Sequence, residues 1–433
     1  MTAGGAPDGA ASGGPGLRRL EAAAPVLLAV LPLAVLYSRA AADMLISLLG
    51  LMFLLRCALA GEWGWTRAGW ARLAGAFWLW IVLCSLLTGQ ARPVLQGLAM
   101  GRMLLFVAAL SEWLLAVAAT RRLLWWAVLA AAAWIGLQAW QQFLLGVNLF
   151  GDPRWGDGAL TGPFRKPEAG SPFVLLLFPA FLPPVLTGLR GAGWRRVAGL
   201  ALLLAVVATT VLIGQRMPTL LMLLGLLVTA LLIRRLRLPV LAALAVGGVL
   251  LALTPVLSPP TYGKLVLRFA DQMEHFGDSA YGLLFARAGV MLEAHPWTGQ
   301  GFDGFRLHCG DAAYQHPLPG LGTTRADGGG LEGCNLHPHN YYLDVAVSGG
   351  LPGLVLFVAL VAAWLRAAGR GLRDAAAVRV GLFASVVVAL WPVASTSALF
   401  TIPTAGWVFL LLGWALGEAR AADSGLPGRM AGV

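Results

Sequence analysis

Apolar residues gather along the chain in repeated blocks, separated by short turns that are polar or basic. Most blocks are roughly 17–25 residues long, the length a helix needs to cross the hydrocarbon core of a bilayer. They predict twelve spans, at about 25–38, 41–59, 71–88, 94–118, 122–144, 171–189, 197–214, 217–233, 238–256, 340–365, 379–396 and 402–418. The expected fold is therefore all-α, a polytopic integral membrane protein with spans one to nine over 25–256 and ten to twelve over 340–418. Residues 1–24 are expected to be a disordered cytoplasmic tail rich in Gly, Ala and Pro, and 419–433 a second cytoplasmic tail. The first residues lack the charged start and cleavage site of a signal peptide, so the first span is expected to remain as an anchor.

Composition agrees. Of 433 residues, 58% are apolar and only 12% charged, with a mean hydropathy of +0.76. A soluble domain carries about twice that charged fraction, which excludes a water-soluble globule. The net charge of +11 would suggest nucleic acid in a soluble chain. Here 29 of the 31 basic residues are arginine, spaced between apolar blocks, which is the pattern of topology signals. Nineteen fall in one set of alternate loops and tails, from Arg18 to Arg429, and six in the opposite short loops, at Arg39, Arg92, Arg154, Arg165, Lys166 and Arg216. The richer set marks the cytoplasmic face, so both termini are expected there.

The segment left over, 257–339, is polar and falls on the outer side. All six histidines lie in it, at His275, His295, His308, His316, His337 and His339. A loop of this length commonly carries function. Cys57 and Cys84 lie in apolar spans and read as small buried hydrophobes, whereas Cys309 and Cys334 share the outer loop and are disulfide candidates. A bridge there would add roughly 3 kcal/mol by restricting the unfolded chain.

Within the loop, Asp278 or Ser279 can cap a helix whose apolar stripe runs through Leu283, Leu284, Val290, Met291 and Ala294 and ends at His295-Pro296. Arg287 falls in the middle of that stripe. It needs an anion or an acidic partner unless its stem snorkels and its guanidinium reaches water or headgroups; Glu293, nearly opposite, is a poor partner. The turn Gly214-Gln215-Arg216-Met217-Pro218 sets Arg216 beside a helix N-terminus, a good phosphate site or a headgroup anchor. His337-Pro338-His339-Asn340-Tyr341-Tyr342 begins the tenth span. The helix dipole there disfavours imidazolium, so a neutral histidine can serve as general base; alternatively Asn340 is an N-cap and His339 an interfacial polar residue.

Other groupings are weaker. Cys309, Cys334 and the nearby histidines match no common zinc spacing, so no metal is expected. Arg102 and Glu112 are polar positions inside the fourth span, and Arg165-Lys166 adds a basic cluster before the sixth. No P-loop, HExxH or GxSxG is present. Arginines and a histidine gathered at an outer membrane face suit transfer from a lipid-linked phosphate donor, already activated because no ATP is available there.

Arg216 in its turn, Arg287 followed by Met-Leu-Glu-Ala-His-Pro-Trp-Thr-Gly-Gln-Gly-Phe over 291–302, and His-Pro-His-Asn-Tyr-Tyr-Leu from His337, with Gly349-Gly350-Leu351-Pro352-Gly353 after it, resemble the O-antigen ligase superfamily. That superfamily holds lipopolysaccharide O-antigen ligases, O-antigen polymerases and bacterial O-oligosaccharyltransferases. The resemblance implies a GT-C-like membrane glycosyltransferase in the bacterial inner membrane. It would be metal-independent, inverting and without cofactor, moving O-antigen from undecaprenyl pyrophosphate to a sugar hydroxyl of lipid A–core at the periplasmic face. By motif, Arg216 and Arg287 would hold the pyrophosphate, and His339, or alternatively His337, would deprotonate the acceptor. Arg165, Lys166, Arg268, Asn340 and Tyr342 are the further substrate-binding candidates, and inner-membrane phospholipids the surrounding partners. The alternatives are polymerase or protein oligosaccharyltransferase activity, or, from another class, a flippase of lipid-linked glycan working through Arg102 and Glu112.

Overall fold

A computed structural model describes residues 15–318, 330–373, 375–393 and 398–423. Among these the chain is helical, with short 3-10 turns and no strand. The membrane helices before the loop are α1 (Pro15–Tyr37), α2 (Arg39–Ala60), α3 (Gly69–Leu87), α4 (Ala91–Glu112), α5 (Ala118–Leu145), α6 (Gly170–Arg190), α7 (Trp194–Ile213), α8 (Arg216–Leu232) and α9 (Arg237–Leu257). The loop carries α10 (Pro259–Tyr262), α11 (Arg268–Glu274), α12 (Ala280–Ala294) and α13 (Gly304–His308), and the chain returns through α14 (Tyr341–Ala368), α15 (Ala377–Ala389) and α16 (Thr404–Asp423).

Among the described residues, nine helices are long and apolar enough to cross a membrane, while α8 and α15 are shorter apolar helices. The protein is an all-α, multi-pass membrane protein. Helix α16 falls below that hydropathy level because Glu418, Arg420, two tryptophans and three glycines dilute its leucines. It is nonetheless buried along nearly its whole length, packed against α4, α14 and α15, and a helix surrounded by protein needs no lipid-facing stripe. The first helix begins at Pro15, so residues 15–24 join it instead of the expected tail; their Leu- and Ala-rich sequence favours helix, and Glu21 reaches Arg56 at 3.9 Å. The expected end of the eleventh span, 394–396, lies outside the described residues.

Proline-rich α6 remains one helix because its neighbours take up the freed carbonyls. Pro179 cannot donate to Leu175, whose carbonyl accepts from Ser385 Oγ of α15 at 2.6 Å. Pro183 cannot donate to Pro179, whose carbonyl accepts from Trp125 Nε1 of α5 at 3.0 Å. In lipid, where water cannot satisfy a stranded carbonyl, such replacements are what allow proline inside a span.

The same exchange docks the outer loop. Helix α14 breaks at Gly350, which has φ 65° and ψ −168°. Leu351 N–H leaves the helical pattern and donates to Pro296 O at 2.7 Å, while Val347 O accepts from Gln300 N at 2.8 Å. Pro352 has no N–H for Ser348 O, which accepts from Gly301 N at 2.9 Å. Trp80 Nε1 of α3 donates to Gly349 O at 2.8 Å, and Phe302 N to Ser85 Oγ at 2.9 Å. The segment 296–302 is thereby threaded between α3 and the broken α14. A Cβ on Gly350 would stand 2.5 Å from the Trp297 carbonyl carbon, and one on Gly299 2.5 Å from Val347 O, so both glycines are required by close backbone approach.

Beyond this seam the loop has its own small core, in which Leu284, Ala288, Val290 and Met291 of α12 pack with Phe305, Cys309, Tyr314 and Val347. Ser279 is the N-cap of α12, its hydroxyl accepting from Gly282 N at 3.1 Å. Substituting Gly350→Ala is expected to destabilise loop docking by about 1–3 kcal/mol, through strain at positive φ and the backbone clash. Limited proteolysis of purified protein would show faster cleavage within 257–339 with the remaining spans intact; an unchanged rate would contradict the seam.

Candidate active site

Two recesses open on the loop-bearing end of the bundle, on either side of the histidine pair. The smaller, a cleft of about 280 Å³, lies between the N-terminus of α8 and the loop helices and is lined by Arg216, Arg268, Gln272, His275 and Tyr281, among others. Arg216 is the first residue of α8, as the Gly-Gln-Arg-Met-Pro turn predicts, with Gly214 in the left-handed conformation that ends α7. Its guanidinium donates to the Gln272 side chain and to Arg268 O at 3.5 Å, so Arg216 and Arg268 are brought together.

The larger recess is a cavity of about 560 Å³. Its walls come from the α1–α2 turn at Tyr37–Arg39, the approach to α6 at Phe164 and Glu168, Gln215, Asp303 with Arg306, His337, and the start of α16 with Trp407. Arg165 and Lys166 are exposed beside that wall and do not line it.

Tyr281, His339 and His337 separate the two recesses. The Tyr281 ring lies in the cleft with Arg216 and packs on the His339 ring at 5.3 Å between centroids. His339 in turn meets His337 edge-on at 4.3 Å. Burial raises the Tyr281 phenol pKa while the nearby Arg216 charge opposes that rise. His339 has a positive φ of 52° and its Nε2 lies 3.3 Å from Asn335 Nδ2. His337 is only 7% exposed, and its buried Nε2 has no hydrogen-bond partner among the described residues. Burial, with some repulsion from His339, lowers its pKa from 6.5 to about 3, so it is neutral in the folded protein.

The other candidates are placed differently. Asn340 is the N-cap of α14, its Oδ1 accepting from Tyr342 N at 2.9 Å and Leu343 N at 3.3 Å. Tyr342 donates its hydroxyl to Leu390 O at 2.9 Å and packs on Phe357, away from both recesses. Arg287 is 1% exposed on the inner face of α12, near Cys309, and lines neither recess. Cys309 and Cys334, expected as a disulfide pair, are adjacent free thiols; burial and the neighbouring Cys334 push the Cys309 pKa up to about 12, which keeps it protonated. Among the described residues no group of three or more His, Cys, Asp or Glu converges to hold a metal ion. His295 and His308 are engaged locally, with the Tyr314 hydroxyl and Asp311.

Arg102 lies 2.8 Å from Asp43, and Glu112 pairs with Arg420, so both polar positions of α4 are neutralised by neighbouring helices. Sequence reasoning missed Tyr281 and Asp303. An aromatic in the first turn of a helix gives no signal of its own. Asp303 sits at φ 63°, and the only hint was its place between the loop motif glycines and Gly304.

No match was found among curated proteins. Residues 198–358, from α7 through the outer loop and into α14, match the family model described as O-antigen ligase (Wzy_C). This supports an activity of the O-antigen ligase or polymerase type in a multi-pass membrane protein. The matched segment carries Arg216, the loop motif and the histidine pair, and over that segment the chain is similar to the O-antigen ligase family.

Proposed function

We propose that the protein transfers O-antigen glycan from undecaprenyl pyrophosphate to a sugar hydroxyl of lipid A–core at the periplasmic face of the inner membrane. The observation that carries this reading is the histidine pair standing between an arginine-bearing cleft and a polar cavity. Both substrates are lipid-anchored, so their headgroups meet at the membrane surface where the outer helix ends lie.

The donor pyrophosphate sits in the cleft on Arg216 and Arg268, at the positive end of α8. Arg287 adds fixed charge from the buried side of α12, where poor screening extends its reach. His339 accepts the proton of the acceptor hydroxyl, with His337 as the alternative base. The oxygen attacks the anomeric carbon as the bond to the pyrophosphate oxygen breaks. Undecaprenyl pyrophosphate leaves with the bonding electron pair, and the arginines stabilise its charge. Displacement in one step inverts the anomeric configuration. Arginine charge performs the work a cation would do, so no metal is required.

Several outcomes test this with purified protein, lipid-linked donor and lipid A–core. Arg216→Ala, Arg287→Ala and His339→Ala should each lower transfer by at least about 10²-fold while the protein stays folded. Full activity in the His339→Ala, His337→Ala and double variants would exclude the base. EDTA should leave the rate unchanged. A product extended only glycan to glycan would assign polymerase activity instead.

His337 also predicts a pH dependence of stability. The unfolded chain takes up this proton near pH 6.5 and the folded protein only near pH 3, so protonation favours unfolding progressively as pH falls between those values. The penalty reaches about 2 kcal/mol by pH 5. His337→Gln should therefore lose less of its thermal midpoint between pH 7 and pH 5 than the native protein does; an equal loss would contradict a buried neutral His337.

A further inference from the structure

We propose that the cavity on the His337 side is the acceptor subsite, and that Arg39 and Arg306 select an acceptor saccharide bearing a phosphate group. This rests on the transferase reading and names the substrate class of its second site.

The cavity is a built site. His337 lies on its wall more than nine-tenths buried, with a ring nitrogen that has no partner among the described residues. A buried polar atom in that state is one that a ligand hydroxyl or a water is expected to satisfy. The volume of about 560 Å³ suits one or two sugar rings, and Trp407 gives the wall an aromatic face against which a sugar can pack.

The wall carries two charges of each sign, but they are loosely paired. Glu168 and Asp303 lie on the wall with Arg39 and Arg306. Burial raises the Asp303 carboxyl pKa, partly opposed by Arg306 and Arg92, and the Arg306 Nη1 to Asp303 distance is a loose 3.8 Å. Arg39 makes no ion pair among the described residues. It is the first residue of α2, whose N-cap Ser38 also lines the cavity, so its guanidinium and the positive end of a 22-residue helix stand together. Arginine beside a helix N-terminus is a favourable setting for phosphate.

The cleft is a different place. Its Arg216 is already bonded to Gln272 and to Arg268 O, and Tyr281 with His339 stands between it and the cavity. The His pair is thus flanked by two arginine-bearing recesses, each of which also carries carboxylates. One takes the donor pyrophosphate, and the other orients an acceptor through its own phosphate, leaving a neighbouring hydroxyl toward the histidines.

The same guanidinium chemistry could serve a phospholipid headgroup at the membrane surface, and the experiment separates the two. Rates are measured with lipid-linked donor and two acceptors, native phosphorylated lipid A–core and the same material stripped of phosphate with hydrogen fluoride, for native protein, Arg39→Ala, Arg39→Lys and Arg306→Ala. In the native protein kcat/KM should favour the phosphorylated acceptor. Each alanine variant should reduce that preference about tenfold through acceptor KM, with donor KM unchanged and partial recovery in Arg39→Lys. A preference unaffected by the substitutions overturns the proposal, as does a loss equal for both acceptors, which assigns Arg39 to headgroups. A changed donor KM would move these arginines to the donor side. Failure of the transferase reading shows separately, as native protein that moves no glycan from the lipid-linked donor to either acceptor.

Discussion

The loop-bearing half of the protein depends on an exchange of backbone hydrogen bonds between the loop and a broken helix. Interrupting α14 at Gly350 releases carbonyls that have no alternative partner in an apolar medium. The loop segment 296–301 supplies the N–H groups and takes Leu351 N–H in return. Each partner left alone would strand buried polar groups at a cost of about 1–3 kcal/mol apiece, so neither arrangement is stable without the other. This seam fixes where α12 ends and α13 begins. It therefore fixes Tyr281 on one side of His339 and Asp303 with Arg306 on the other. Gly299 and Gly350 are explained by this contact without assigning either to chemistry.

Ring packing helps to hold the histidine pair. His339 takes a left-handed backbone conformation one residue before the α14 cap, and its ring rests on Tyr281 and His337. Strain of this kind persists only where surrounding structure over-determines it, and sites are where it collects. The burial that keeps His337 uncharged also keeps the partition apolar at its centre. Charged groups gather at its two edges, where each recess opens.

Much of this was legible in the sequence. Hydropathy locates the helices, and it includes α6 despite three internal prolines because the spacing of apolar residues survives them; the partners that make them tolerable, Ser385 and Trp125, lie on other helices and carry no local signal. Arg216 was readable from its turn and Ser279 as a cap. Asn340 caps α14 as the sequence allowed, and Tyr342 fastens α14 to Leu390. The interior position of α16 was not readable, because enclosure by other helices is a property of tertiary packing. Nor was the meeting of Arg39 with His337, which are far apart in the chain and joined only by the cavity. Arg287 stood out correctly as an arginine on an apolar stripe, but periodicity could not show that the stripe turns toward the loop's own core and away from the cleft.

The cavity walls have a consequence for how such a protein can diversify. The cleft and the histidine pair lie within residues 198–358, whereas Tyr37, Arg39, Phe164, Glu168 and Trp407 of the cavity lie outside that segment. The cavity wall thus draws on two parts of the chain, since Asp303, Arg306 and His337 lie inside that segment. Tyr37, Arg39 and Trp407 take no part in the hydrogen bonds of the seam, so that side of the cavity can change while the seam is kept.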